Sequence, residues 1–311
     1  MHGVASSLDA VLVPPSAQEF GSLTEFRAAL DARLGKDAPP LSRALVGGAL
    51  ADRLGYAFAA GYQAALIRLA PDLAGVRASL CASEAGGAHP RAIQTALERR
   101  PDGLRVCGQK RFSTLADAAD VLLVIASEGR SPDGRNRLRL VRVGARAPGV
   151  TIEPLPALPF APEISHGIVT LDVAVREADV VAGDAYTTVL KPFRTLEDVA
   201  VLTALLAHLG ASARRERWPE PLVERILAAL LCASALWQQD PGAAATHLAL
   251  AGLLALAREL AEAARAHLAD PERRARFDRD APLLAVAGNA REQRRLAAWR
   301  LLGAHAAVPI P

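Results

Sequence analysis

Three short stretches carry residue types suited to chemistry. Ser83-Glu84-Ala85-Gly86-Gly87-Ala88-His89-Pro90 joins a hydroxyl to glycines that let a backbone approach a ligand closely. The same composition also describes an ordinary loop after a strand. Gly103 to Thr114 ends on Phe112-Ser113-Thr114, an aromatic face followed by a hydroxyl, although Phe112 taken alone reads as a core residue. Leu196-Glu197-Asp198-Val199 sets two carboxylates at the head of an apolar helical stretch. By itself that pair suits a capped helix start, with Thr195 at N-cap, Asp198 at N3 and the helix dipole contributing ~0.3–1 kcal/mol. Arg194 is either a surface residue or an anion contact beside that pair. His166 and His247 read as structural residues, and Arg214, Arg215 and Arg217 as cations at a helix end, where the dipole favours them.

These stretches lie in three zones of different pattern. Residues 1–75 are helical after a loose start, with Leu23, Phe26, Leu30 and Leu34 at helical spacing. Small residues such as Gly47, Gly48, Ala51, Ala59, Ala60 and Gly61 then predict close helix contact over 42–69. Residues 76–178 hold strand-like runs at 76–82, 104–106, 121–126, 138–143, 150–154 and 167–173. Pro-Asp-Gly and Ala-Pro-Gly turns separate them, which predicts a small antiparallel barrel or sandwich. Residues 179–311 read as four helices (196–214, 221–238, 244–268 and 282–302) with breaks at Asp240-Pro241-Gly242 and Asp270-Pro271, an up-and-down bundle. The predicted class is α+β: N-terminal helices, a central small β-barrel and a C-terminal four-helix bundle.

Composition narrows the function classes. The 311 residues are 51% hydrophobic and 22% charged, which fits a globular chain with a substantial core. Aromatics are 4%, so Ala, Leu and Val must build that core. A net charge of +3, with arginines scattered along the chain, gives no case for nucleic acid. Three widely spaced cysteines, Cys81, Cys107 and Cys232, argue against a disulfide framework or a metal site and suit a reducing, cytoplasmic setting. The apolar stretches at 199–213 and 226–245 are interrupted by polar residues and read as bundle helices, with no membrane span and no leader peptide expected.

Four stretches, in order, resemble the acyl-CoA dehydrogenase family. The segment from Ser83 is similar to its Thr-Glu-Pro-Gly-Ala-Gly-Ser-Asp, one residue short and without the later Ser and Asp. Gly103-Leu104-Arg105-Val106-Cys107-Gly108-Gln109-Lys110-Arg111-Phe112-Ser113-Thr114, then Ala119-Asp120, resembles Gly-x-x-x-x-Gly-x-Lys-x-Trp-x-Thr-Asn with its following Ala-Asp. Ile164 to Val175 is similar to the last barrel strand. Arg279-Asp280-Ala281 with Ala287-Gly288-Asn289-Ala290-Arg291 resembles the C-terminal Arg-Asp-Ala and x-Gly-Thr motifs.

The resemblance implies FAD-dependent α,β-dehydrogenation of an acyl-CoA thioester in fatty acid metabolism. Ser83, Phe112 and Thr114 would face the isoalloxazine, Asn289 and Arg291 would occupy two further cofactor positions, and Arg194 would meet a CoA phosphate. Many members carry the proton-abstracting Glu where this chain has Ala287. A smaller branch takes it from the start of the first C-terminal helix, which makes Glu197 the candidate base here. The family's Arg-x-x-Phe-Gly and Gln-x-x-Gly-Gly motifs are absent, the N-terminal segment is short, and Asp198 stands where an Arg is usual. A second reading follows from these departures: a non-catalytic or half-competent subunit pairing with an active related chain. An oxygen-using flavin enzyme on the same fold is a third. Small apolar helix faces predict a homodimer or homotetramer.

Overall fold

The computed structural model describes residues 8–87, 89–286 and 288–303. The chain divides into two compact units. One contains the described residues up to Arg68, the loop Pro159–Glu163 and the described residues from Arg194 onward. The other contains Leu69–Leu158 and Ile164–Phe193. The predicted N-terminal and C-terminal helical segments thus share one unit.

The β unit is a single sheet of β1 (Ala78–Cys81), β2 (Ala96–Arg100), β3 (Gly103–Thr114), β4 (Val121–Arg130), β5 (Asn136–Gly144), β6 (Val150–Pro154), β7 (His166–Val175) and β8 (Val180–Val181). Its order is β6-β7-β3-β2-β4-β5-β8, with β1 also paired to β4. Strands far apart in that order share one interior, where Val106, Leu122, Val124, Val141, Val169 and Val173 pack together, so the sheet rolls on itself. Alternation explains the outer strands: Val169, Leu171 and Val173 of β7 point in while Thr170 and Asp172 point out. The central β4 is buried on both faces from Leu122 to Ala126, which its unbroken apolar run requires.

Two details differ from the sequence reading. The sheet is mixed, because β1 runs parallel to β4, from Ala78 opposite Val121 to Cys81 opposite Val124. The strand β2 was not predicted. Its Ala-Leu-Glu-Arg-Arg composition carries weak β propensity, and it is held by antiparallel pairing with β3 across the Pro-Asp-Gly turn.

In the helical unit, a short α1 over residues 8–12 precedes α2 (Leu23–Leu34), α3 (Pro40–Leu50) and α4 (Leu54–Leu69). Then come α5 (Lys191–Glu216), α6 (Glu220–Trp237), α7 (Ala244–Arg265), α8 (Pro271–Asp280) and α9 (Gly288–Leu301). The long apolar window of α5 is 94% buried, as a core helix requires. The small residues of α3 and α4 act as expected, letting their backbones lie on α5. A Cβ built on Gly61 would fall 2.6 Å from Val201 Cα and 2.7 Å from the Ala200 carbonyl oxygen. Gly61→Ala is therefore expected to cost ~1–3 kcal/mol by overpacking against backbone that cannot rotate away. Urea denaturation would show it, and an unchanged midpoint would refute the close packing.

The end of the chain also departs from prediction. Asp270-Pro271, read as a break, starts α8: the Asp270 carboxylate accepts the Glu272 amide at 2.9 Å and Pro271 takes the first helical turn. Only Phe277 and Asp280 of α8 are buried, so it lacks the apolar period that would have announced it. The predicted helix 282–302 is instead a 3-10 turn, Ala281–Ala285, followed by α9. Asp280 is fully buried and accepts the Ala161 amide at 2.7 Å, while Glu163 joins Arg53 at 3.3 Å and Arg279 at 2.9 Å. The Arg279-Asp280 pair is thus the anchor of loop 159–163.

Candidate active site

In the β unit, the glycine segment after β1 is held by a buried hub. Glu84 and Gly87 close a tight turn through paired backbone hydrogen bonds of 3.1 and 2.9 Å, which Gly87 permits at φ +96°. The Glu84 carboxylate accepts Lys110 Nζ at 2.7 Å, Thr95 Oγ1 at 2.8 Å and the amides of Gln94 and Thr95 at 2.8 and 3.0 Å. Lys110 is wholly inaccessible. Burial opposes charge on Glu84, but Lys110 and the two amides outweigh it and hold the carboxyl below its usual range. Burial likewise lowers the Lys110 ammonium, with Glu84 opposing. Neither residue was singled out from the sequence. The available signal was register: Leu104, Val106 and Lys110 share the inward face of β3, and a lysine there needs a carboxylate.

The hub fixes the residues beside it. The Arg111 amide donates to the Ser83 carbonyl at 2.8 Å, which ties the loop to β3. Between Lys110 and Ser113 the β3–β7 register shifts through a bulge. Within it Phe112 has φ +55°, a left-handed conformation that costs a non-glycine residue ~1–2 kcal/mol. The residue is nevertheless 55% exposed, with the Arg111 guanidinium 5.7 Å from its ring centroid. A strained bulge that displays a phenyl face is a feature of binding surfaces rather than of cores. Phe112 is thus not the core residue that its type alone suggests. Thr114 follows two residues on, opposite His166, with its carbonyl accepting Ser79 Oγ at 2.8 Å. Among the described residues, neither the Ser83 nor the Thr114 hydroxyl makes a hydrogen bond. Ser83 is thus tied by backbone to the bulge that carries Phe112, and Thr114 follows on the same strand. His166 is half-buried, and burial lowers its proton affinity, as suits a structural role.

In the helical unit, Glu197 does not sit at a helix start. The helical path begins with a π-turn, Tyr186–Leu190, and runs directly into α5. Thr195 is therefore an interior residue and not an N-cap, and its buried Oγ1 has no partner among the described residues. This removes the capping account of Glu197, because the dipole effect fades within the first turn. Glu197 is half-buried and makes no hydrogen bond or ion pair among the described residues. Burial, and then the adjacent Asp198 charge, push its carboxyl up to about 7 against the opposing fields of Arg291, Arg294 and Arg194.

Asp198 is the paired member. Its Oδ1 accepts Arg291 Nε at 2.9 Å and Nη2 at 2.7 Å, and its Oδ2 accepts Arg294 Nη2. Arg291 also donates to the Leu284 carbonyl at 3.1 Å. Arg291, expected at a cofactor position, is thus held by Asp198 across α5 and α9. Asn289 is exposed in the first turn of α9, and Arg194 is half-buried one turn before Asp198. Ala287 lies outside the described residues. No group of three or more metal-ligating side chains occurs among the described residues.

Residues 79–172 match the model of the acyl-CoA dehydrogenase middle domain. Residues 79–172 thus carry an acyl-CoA dehydrogenase middle domain, and the chain as a whole has the acyl-CoA dehydrogenase-like fold. Its fold is that of a probable acyl-CoA dehydrogenase from Mycobacterium abscessus, with TM-score 0.65 and 18% identity over 96% of this chain and 94% of that one. PigA, solved with FAD and proline, gives TM-score 0.67 and 14% identity over 97% of each chain. The prolyl acyl carrier protein oxidase AnaB gives 0.65 and 16% over 97% of this chain and 98% of its own. No curated protein matches at the sequence level. The middle-domain match spans the Ser83 segment, the bulge with Phe112 and Thr114, and the β7 strand opposite them. The acyl-CoA dehydrogenase resemblance thus rests on the sheet that displays the aromatic face.

Proposed function

We propose that this chain is an FAD-dependent oxidoreductase that removes the α and β hydrogens of an acyl thioester, with Glu197 as the α-proton base. The observation that carries the reading is Glu197 itself: a half-buried, unpaired carboxylate inside α5 whose proton affinity lies near neutrality. A base is most effective when its proton affinity lies near the working pH. Bound FAD supplies the acceptor for the β-hydride. Phe112 would offer its exposed face to the flavin ring, and the Ser83 and Thr114 hydroxyls would supply hydrogen bonds to it. The Glu84–Lys110 hub holds these residues rigid. Glu197 takes the α-proton onto its carboxylate, and Arg194 supplies positive charge for an anionic carrier such as CoA. Arg291 is left to Asp198 and is not assigned to the cofactor.

The similar solved structures named above include a probable acyl-CoA dehydrogenase and a prolyl acyl carrier protein oxidase. We favour the CoA thioester, and a carrier-protein thioester is the discriminating alternative. Self-association is supported by an apolar outer face on α6, where Ala228, Leu231, Cys232 and Ala235 are all exposed. The free cysteines Cys81, Cys107 and Cys232 suit a cytoplasmic setting.

The test is reconstitution with FAD and anaerobic titration with saturated acyl-CoA and acyl-carrier-protein thioesters, followed by flavin absorbance. Binding of FAD by this chain alone and bleaching by a thioester are expected. A colourless protein that takes up flavin only with a second, related chain would replace the reading with that of a half-competent subunit.

A further inference from the structure

Two adjacent carboxylates on α5 have opposite fates. Asp198 is 7% exposed and holds two guanidiniums, whereas Glu197 holds none among the described residues. The charged groups around Glu197 are Arg194 and Asp198 on its own helix and Arg291 and Arg294 on α9. From α7, His247 lines a small pocket with the same two arginines. Three cations against one other anion would ordinarily draw a half-buried glutamate into an ion pair and suppress its basicity. The guanidinium forks of Arg291 and Arg294 are instead turned onto Asp198, Arg291 through two donors on one oxygen.

We infer that Asp198 is a positioning residue: it binds Arg291 and Arg294 so that neither pairs with Glu197, which leaves the Glu197 carboxylate un-neutralised and able to accept a proton. The functional consequence rests on the proposed role of Glu197 as base, but the arrangement itself does not. Two effects act with one sign. Removing the Asp198 charge takes away a repelling neighbour and also releases two cations toward Glu197, so both changes favour the glutamate anion. Removing Arg291 or Arg294 takes away a cation and exposes more of the Asp198 charge, so both changes favour the protonated glutamate. A clamp between α5 and α9 whose charges do not reach Glu197 predicts no such opposition.

The experiment is carboxyl carbon NMR of the flavin-loaded protein carrying labelled glutamate, titrated from pH 5 to pH 9, with the Glu197 resonance assigned by its loss in Glu197→Gln. Asp198→Asn is expected to lower the Glu197 midpoint by about one pH unit or more. Arg291→Gln and Arg294→Gln are expected to raise it. Each arginine variant leaves Asp198 one partner, so these two carry the test if Asp198→Asn does not fold. A midpoint that stays put in the arginine variants, or that falls in them, overturns the inference. The pH profile of flavin reduction separates the two readings. If it tracks the NMR midpoints, both stand. If the midpoints move in opposite directions while the profile stays fixed, the positioning stands and the base assignment falls.

Discussion

Glu197→Gln is expected to slow thioester-driven flavin reduction ~10²–10⁴-fold, the range lost with a positioned general base, while the protein still binds FAD. Glutamine keeps the size and shape of the side chain and cannot take the α-proton. The same change is expected to leave the fold as stable or firmer. The folded Glu197 carboxyl is raised to about 7, above its value in an unfolded chain, because burial and Asp198 disfavour the anion. Its contribution to stability is therefore fully present below the ordinary carboxylate range. That contribution is lost as pH rises through about 7. Above neutrality the wild type carries a disfavoured charge that the glutamine variant lacks, so the variant should melt at the same temperature or higher at pH 8. A catalytic carboxylate held against its preferred state is a recurring cost of function. The wild-type reduction rate should rise with pH and level off above about 7, because the base acts deprotonated. Undiminished flavin reduction by Glu197→Gln in stopped flow would end the assignment.

Lys110→Met is expected to cost ~3–5 kcal/mol in urea denaturation, because it strands a buried carboxylate. Glu84 would keep its contacts to Thr95 and Gln94 and lose its only cation among the described residues. The consequence reaches Phe112 and the Ser83 loop through the chain, since Arg111 lies between Lys110 and Phe112 and its amide holds the Ser83 carbonyl. Flavin affinity should fall along with stability. Lys110→Met with Glu84→Gln should recover part of the loss, because a neutral amide is cheaper to bury than an unpaired anion. A single Lys110→Met variant within 1 kcal/mol of wild type, an about five-fold change in the folding constant, would show that the pair does not anchor the loop.

The legible parts of this protein were local patterns. Apolar spacing showed the long helices, period-two runs showed most strands, and the stretches around Ser83, Phe112 and Thr114 lie within the segment that matches the acyl-CoA dehydrogenase middle domain. Small residues announced the close approach of α3 and α4 to another helix, because only the absence of a side chain permits it. What composition obscured were elements stabilised by their surroundings. The strand β2 exists through its pairing with β3, and α8 is defined by the Asp270 cap and two buried residues, not by an apolar stripe.

The sequence by itself determined the class, the order of helix and strand zones, and the residue types able to bind a flavin and move a proton. Only the tertiary structure decided how those residues are set. It turned Thr195 from a cap into a helix interior, made Phe112 an exposed face on a strained bulge, joined Glu84 to Lys110, and gave Arg291 to Asp198 instead of to a ligand. The reason is physical. Helical or strand periodicity depends on neighbours a few residues apart. Charge state, exposure and hydrogen-bond partners depend on groups that may lie more than ninety positions away along the chain, as Arg291 does from Asp198.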